Sequence, residues 1–443
     1  MIAVKSNRRH FLQGCLGGLA ASTIPLRIVQ AEWGSTERLL RTPLPELPPA
    51  ADDADEALWK VVRQQFMLDP DLIYMNAGGL GPSPHSVIDT ITRHMMELER
   101  VSETGHALTH EVRDKACALL NCDKEELAIT RNATEGMNAA ARGLTFRQGD
   151  EVLLTTHEHP GGTMPWLNLA KDEGIIVKTF EPGDGGQDTL DRLSSNLTPR
   201  TRAVSVSHVT CTHGLVLPVK EISALCRQRG IISVIDGAQA VGMIPVDLHD
   251  LGCDFYAASG HKWLLGPKGT GLLYVRRGML DRWHSIFAGA YSDKKSDLLQ
   301  GLFERLPEAR SVEYGTRNTP IIMGLGAAIG FIEAIGINRA AHYIRGLSLR
   351  LRSHLEGMER IEILTPPTPA ASGAILSFRV KHSDKSPWQW ADALKTEYHI
   401  RVRPVGENNL NAVRVSTHVF NGPEQIDRLV EALNQLLEKE TWN

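Results

Sequence analysis

At 443 residues, with a formal net charge of −4 and a pI near 6.5, the chain lacks the basic surplus that would track a nucleic-acid backbone or an anionic membrane surface. Its 42% hydrophobic and 23% charged residues are those of a globular protein with a sizeable core, and its length exceeds one ordinary domain.

In chain order, the first segment does not read as part of the fold. Asn7-Arg8-Arg9-His10-Phe11-Leu12-Gln13 sets paired arginines ahead of an apolar, Gly/Ala-rich stretch from Gly14 to Leu26, and Val29-Gln30-Ala31 follows with small residues. That order is a secretory signal over residues 1–31, of the twin-arginine type, with the twin-arginine translocase as partner and a periplasmic or otherwise exported product. The apolar stretch is short and broken by Gly, Ser, Thr and Pro, which argues against a permanent membrane span. Five cysteines remain after it (Cys117, Cys122, Cys211, Cys226, Cys253), an odd number with no Cys-x-x-Cys pair. Free thiols suit a chain that folds in a reducing compartment, acquires a cofactor and is exported folded.

Residues 32–57, with Thr42-Pro43-Leu44-Pro45 and an acidic run, read as a linker or arm. A helix is expected from Leu58 to Phe66. Seven strand-like runs then alternate with helix-length segments: Leu127–Ala133, Glu151–Thr156, Ile175–Phe180, Ala203–Val209, Ile232–Asp236, Phe255–Ser259 and Gly271–Arg276. This pattern predicts an α/β domain over 58–325 with a mostly parallel seven-stranded sheet. Beyond it the pattern changes to a smaller α+β domain over 326–443. There a helix over Arg339–Gly357, a strand over Ala374–Val380, a helix over Pro387–Tyr398 and strands over Arg401–Pro404 and Val413–Thr417 precede a last helix, with Asn421 as its N-cap and an early proline.

Ligands of an open α/β sheet sit beyond the carboxyl ends of its strands, so the residues following each run carry the functional signal. Asn132-Ala133-Thr134 opens a helix whose first amides suit a phosphate. His157-Glu158-His159, Thr210-Cys211-Thr212-His213, Asp236-Gly237-Ala238-Gln239 and Ser259-Gly260-His261-Lys262 follow other runs. The two imidazoles of His157-Glu158-His159 lack a third ligand, and His106 and His110, four apart on an expected helix, read as exposed; no metal is expected. Gly266-Pro-Lys-Gly269-Thr-Gly271 joins strand to strand and reads as a tight turn, not a nucleotide loop. A strand-end carboxylate, a strand-end lysine, a helix start fit for phosphate and a histidine together point to pyridoxal phosphate (PLP).

From about Tyr74 onward the chain resembles the class V aminotransferase family of fold-type-I PLP enzymes, nearest in pattern to its isopenicillin N epimerase-like members. The resemblance is carried, in order, by Tyr74-Met-Asn-Ala-Gly-Gly-Leu-Gly-Pro82, Arg131-Asn-Ala-Thr-Glu-Gly136, His208-Val-Thr210, Asp236-Gly-Ala-Gln239, Ser259-Gly-His-Lys262 and Glu313-Tyr-Gly-Thr316. It implies Lys262 as covalent anchor and proton carrier, Asp236 on the pyridine nitrogen, His159 on the ring face, and Gln239 with Thr210 at the phenolic oxygen. It further implies a phosphate site of Ala133, Thr134, Ser259 and His261, with Thr316 from the partner in a homodimer. Arg414, with Asn76 nearby, would hold a substrate carboxylate. The implied activity is proton transfer, elimination or amino transfer at the α or β carbon of an amino acid or peptide. The alternatives are a cysteine desulfurase-like enzyme, against which the cysteine-free loop Pro404–Val413 counts, and a non-catalytic binding protein on the same fold. His213 stands where the pattern more often has threonine, and Cys211 where desulfurases have asparagine.

Overall fold

The computed structural model describes residues 56–440; the expected signal and nearly all of the expected arm lie outside the described residues. The elements run α1 (Glu56–Arg63), β1 (Ile73–Tyr74), α2 (His85–Val101), α3 (Thr109–Leu120), β2 (Leu127–Thr130), α4 (Ala133–Arg142), β3 (Glu151–Thr155), α5 (Pro160–Glu173), β4 (Ile176–Phe180), α6 (Gly186–Asn196), β5 (Thr201–Ser207), α7 (Val219–Gln228), β6 (Ile232–Asp236), α8 (Leu248–Leu251), β7 (Phe255–Ser259) and β8 (Gly271–Val275). A hairpin of β9 (Asp293–Asp297) and β10 (Leu302–Arg305) follows. The rest is α9 (Thr319–Ile335), α10 (Ile337–Glu356), β11 (Ile361–Ile363), β12 (Ile375–Val380), α11 (Pro387–Tyr398), β13 (Ile400–Arg401), β14 (Arg403–Val405), β15 (Ala412–Ser416) and α12 (Pro423–Lys439).

All seven expected strand runs form strands, and they join into one sheet of order β2-β8-β7-β6-β5-β3-β4. Strands β3 to β7 are parallel to one another, while β8 runs antiparallel to β2 and β7. Side chains alternate across a strand, and this sheet uses both faces. Val152 and Leu154 enter one apolar cluster and Leu153 the other; Val234 and Ile235, and Ala257 and Tyr256, divide in the same way. Burial on both faces is why these runs are continuously apolar rather than alternating with polar residues. The edge strand β4 is the exception: Ile176 and Thr179 are exposed.

A second sheet, β11-β12-β15-β14, is antiparallel throughout. The N-terminal part of the described chain is tied to this region. Strand β1 pairs with β13, Asn76 bridges to Ser416, and Trp59 stacks on Tyr343 of α10 with ring centroids 3.8 Å apart.

Two readings of helices need correction. Helix α9, absent from the sequence reading, carries TPIIMGLGAAIGFIEAI and is apolar nearly all round, so it shows no amphipathic period. Its bulk is buried, and among the described residues no single helix is long and apolar enough to cross a membrane. At the start of α12 the N-cap is Gly422, not Asn421. The Asn421 amide instead accepts from His418 N at 2.9 Å and donates to Tyr74 O at 3.0 Å, fastening the segment to β1.

One buried ion network fixes the loop before α9. Glu313, from the Glu-Tyr-Gly-Thr stretch, accepts both Nη2 contacts of Arg113 at 2.8 and 2.7 Å, the Ile129 amide at 2.7 Å and Arg317 at 2.9 Å. Removing the carboxylate leaves two guanidiniums facing each other in a little-solvated site, which costs about 3–5 kcal/mol. Glu313→Gln is therefore expected to lower the free energy of urea unfolding by about 3 kcal/mol; an unchanged midpoint and slope would rule out this role for the network.

Candidate active site

The carboxyl ends of β5, β6 and β7 and the start of α4 converge on a cavity of about 230 Å³. Each wall has a local cause. Asn132 caps α4, its side-chain oxygen accepting from Glu135 N at 2.8 Å, so the first amides of the helix and Thr134 face the cavity. Asp236 ends β6, and its Oδ1 accepts from Ala238 N at 2.9 Å, which fixes the carboxylate at the cavity wall. Gln239, three residues on, is held at both ends. Its Oε1 accepts from Trp263 Nε1 at 2.8 Å and its Nε2 donates to Gly78 O at 2.9 Å. His159 caps α5 by accepting from Gly161 N at 3.0 Å, which orients its ring. Burial, with Lys262 adding to it, lowers the His159 pKa and favours the neutral imidazole.

Lys262 leaves β7 through Ser259-Gly260-His261 and enters the cavity. Its carbonyl leaves no room opposite: a Cβ on Gly81 would lie 2.0 Å from it, and Gly81 N donates to His261 O at 2.7 Å. The glycines of the Tyr74–Pro82 stretch thus let one backbone press on the peptide that carries the lysine. Burial lowers the Lys262 pKa, partly opposed by Asp236. Among the described residues its amine takes part in no hydrogen bond or ion pair.

Arg414 is almost fully buried on β15. Its Nη1 donates to Cys211 O at 2.6 Å and its Nη2 to Asn76 Oδ1 at 3.0 Å, while its Nε is buried without a partner. Burial and the neighbouring Arg403 bring it down to about 10, so it stays charged at neutral pH.

Ala133, Thr134, His159, Asp236, Gln239, Ser259, His261, Lys262 and Arg414 therefore line one cavity, as the sequence motifs lead one to expect. Asn76 stands behind it as a partner of Arg414. Thr210 is different: it is fully buried and outside the wall. Its hydroxyl accepts from Leu215 N at 3.0 Å and closes the turn that ends at Gly214, where φ is +77°. The neighbouring Cys211 occupies the wall instead. Thr316 is exposed and does not line this chain's cavity. His213 bonds to Thr212 Oγ1 at 2.9 Å, and burial holds its pKa down to about 3. The side chains of His157-Glu158-His159 share no hydrogen-bond partner among the described residues, His157 reaching Thr212 at 2.9 Å and Glu181 at 3.1 Å.

Arg403 was not among the expected residues and lines the cavity. Arg403 and Arg414 are directly opposed on β14 and β15, so they share a face. Its counter-ion is Glu407.

A profile of the family described as Aminotransferase class-V matches residues 75–429. Isopenicillin N epimerase from Amycolatopsis lactamdurans is 32% identical over 396 residues, covering 85% of this chain and 98% of that protein. The apo structure of a cysteine desulfurase from Thermococcus onnurineus NA1 superposes with a TM-score of 0.78 at 26% identity, over 86% of this chain and 98% of that one. A mutant of C-DES with glycine covalently linked to its PLP cofactor gives 0.77 at 28% identity, over 84% and 98%.

The residues present fit PLP. His261 Nδ1 is buried without a partner beside the α4 amides, Thr134 and Ser259, a donor set for a phosphate. Asp236 is a fixed carboxylate suited to a pyridine nitrogen, and Lys262 is an amine that makes no hydrogen bond or ion pair among the described residues.

Behind Asp236, Glu158 accepts from Ser207 Oγ at 2.6 Å, Ser207 N at 3.1 Å and Thr155 Oγ1 at 2.5 Å. Burial, reinforced by Asp236, pushes its pKa up to about 7 from an ordinary 4.5. Between these values the folded chain holds a proton that the unfolded chain has lost, so stability falls as pH rises through that window and levels off above it. In cofactor-free protein, Glu158→Gln lacks this titration. Its urea-unfolding free energy relative to wild type should rise by about 3 kcal/mol from pH 4.5 to 7.5. A difference that is flat with pH would show that Glu158 titrates normally.

Proposed function

Because this chain belongs to the aminotransferase class V family, with pyridoxal 5′-phosphate as its cofactor, we propose that it transfers the Cα proton of an amino acid or peptide-linked amino acid. The observation that carries this reading is the half-buried Lys262 amine, its pKa lowered, in the same cavity as the charged, incompletely paired Arg414. The cofactor, when bound, supplies a sink for the electron pair left on Cα.

The protein's own groups do the rest. Arg414 holds the substrate carboxylate through its guanidinium fork and so sets which bond of Cα faces Lys262. The Lys262 amine takes the proton from Cα and returns one. Asp236 would hold the proton on the pyridine nitrogen, and His159 would supply a ring for the cofactor to pack against. The α4 amides, Thr134, Ser259 and His261 hold the phosphate.

Cysteine desulfuration is the less supported reading. It needs a thiolate on a mobile segment. The thiol near the cavity belongs to Cys211, which is buried in a tight turn, and burial pushes its pKa up. The loop from Pro404 to Val413 contains no cysteine.

Incubation of holoenzyme in D₂O with L- and D-amino acids and small peptides tests the proposal. Deuterium should enter Cα of at least one class, and Lys262→Ala should slow that exchange at least a thousandfold. Inverted configuration would mark epimerisation, a keto acid with aminated cofactor would mark amino transfer, and a keto acid with ammonia would mark elimination. A broad panel with no exchange, while cofactor stays bound, would favour the non-catalytic alternative.

We also propose a homodimer in which Thr316 of one copy reaches the phosphate site of the other. Its exposure away from its own cavity supports this. Mixing Lys262→Ala with Thr316→Ala chains should then restore about one quarter to one half of wild-type exchange, the shares random or preferred pairing allows. No recovery under conditions of proven subunit exchange would mean that Thr316 acts in its own chain.

A further inference from the structure

We propose that the substrate carries a second carboxylate, received by Arg403 beside the α-carboxylate on Arg414. This rests on the proton-transfer reading for the position of the α-carboxylate and adds a substrate class to it.

Arg403 and Arg414 occupy directly opposed positions on β14 and β15, and both line the cavity. Like charges at directly opposed sites in a sheet repel; burial is the main cause of the fall in the Arg414 pKa, and Arg403 adds to it. The cavity and its mouth hold three cations, Lys262, Arg403 and Arg414, against two carboxylates. Asp236 lies at the far wall and serves the ring nitrogen. The Glu407 side chain bonds to Arg403 Nη2 and is 31% exposed, on a loop in which Asn408, Asn409 and Asn411 all have left-handed φ, 54°, 56° and 49°.

Two guanidinium nitrogens are left over. Arg414 Nε and Arg403 Nη1 are both buried without hydrogen-bond partners among the described residues. One carboxylate on Arg414 would satisfy the first and leave the second unmatched. A second carboxylate on the same substrate would satisfy Arg403 Nη1 and offset the repulsion between the two arginines, with Glu407 as the anion that pairs with Arg403 in its absence. The planar fork of arginine favours a carboxylate over a neutral amide here.

The test uses unreactive acids and reads binding, not turnover. Calorimetry on holoenzyme would compare succinate, glutarate and adipate with butanoate, pentanoate and hexanoate, the monoacids of equal chain length. At least one diacid is expected to bind tenfold or more tightly than its monoacid. Arg403→Gln should bring the two within twofold, and Arg403→Lys should retain part of the preference. Glu407→Gln, which frees Arg403, should strengthen diacid binding, and it serves if Arg403→Gln fails to fold. Diacids that bind no better than monoacids, or a preference that survives in folded Arg403→Gln, would overturn the proposal. Failure of the Cα reading would show separately, as absence of exchange in D₂O, and would leave these affinities unchanged.

Discussion

An amine moved out of water loses part of the hydration that stabilises its charged form, and a protein can exploit this only if nearby groups hold the amine without neutralising it. Lys262 meets that condition at the carboxyl edge of a parallel sheet. Parallel strands end together, so the loops after β5, β6 and β7 bring a turn, a carboxylate and the lysine to one place. Helix α4 adds its amides at the same edge. Much of the remaining architecture keeps these groups in place: Asn132 caps the helix, Trp263 and Gly78 lock Gln239, and Gly81 packs against the carbonyl of Lys262.

The electrostatics follow from one imbalance. Among the described residues, the basic groups Lys262, Arg403 and Arg414 share the cavity region with two carboxylates, and a partly buried excess of basic groups suits a site that takes anions. In the proposed reading the cofactor's phosphate would take one end and a substrate carboxylate the other. Burial of Arg414 with its carbonyl and amide partners keeps it rigid, which suits a group that must orient Cα rather than merely attract substrate.

The main sheet was legible in the sequence because both of its faces are buried and its strands are uninterrupted apolar runs. The motif residues were legible because strand ends in such a sheet share an edge. Three features were hidden for physical reasons. Helix α9 is apolar on every side and has no period to detect. Thr210 was expected at the cofactor, but side-chain direction in a turn depends on which hydroxyl closes it, and here Thr210 does so while Cys211 faces inward. Arg403 lies in a three-residue strand and acquires meaning only from its pairing with β15, a contact between residues whose register a single sequence does not state.

The dependence of the cavity on β15 has a consequence for synthesis. Arg414 and Ser416 follow every other strand of the site in chain order, and β15 is also the strand to which Met75 and Asn76 attach. As the polypeptide emerges from the ribosome, the phosphate-binding helix start, the acidic strand end and the lysine all appear well before the arginine that positions Cα. A nascent chain can thus present the cofactor-facing wall without the substrate-facing one. Incomplete chains lack the cavity wall that carries Arg414, and that gap closes only when the last strand docks.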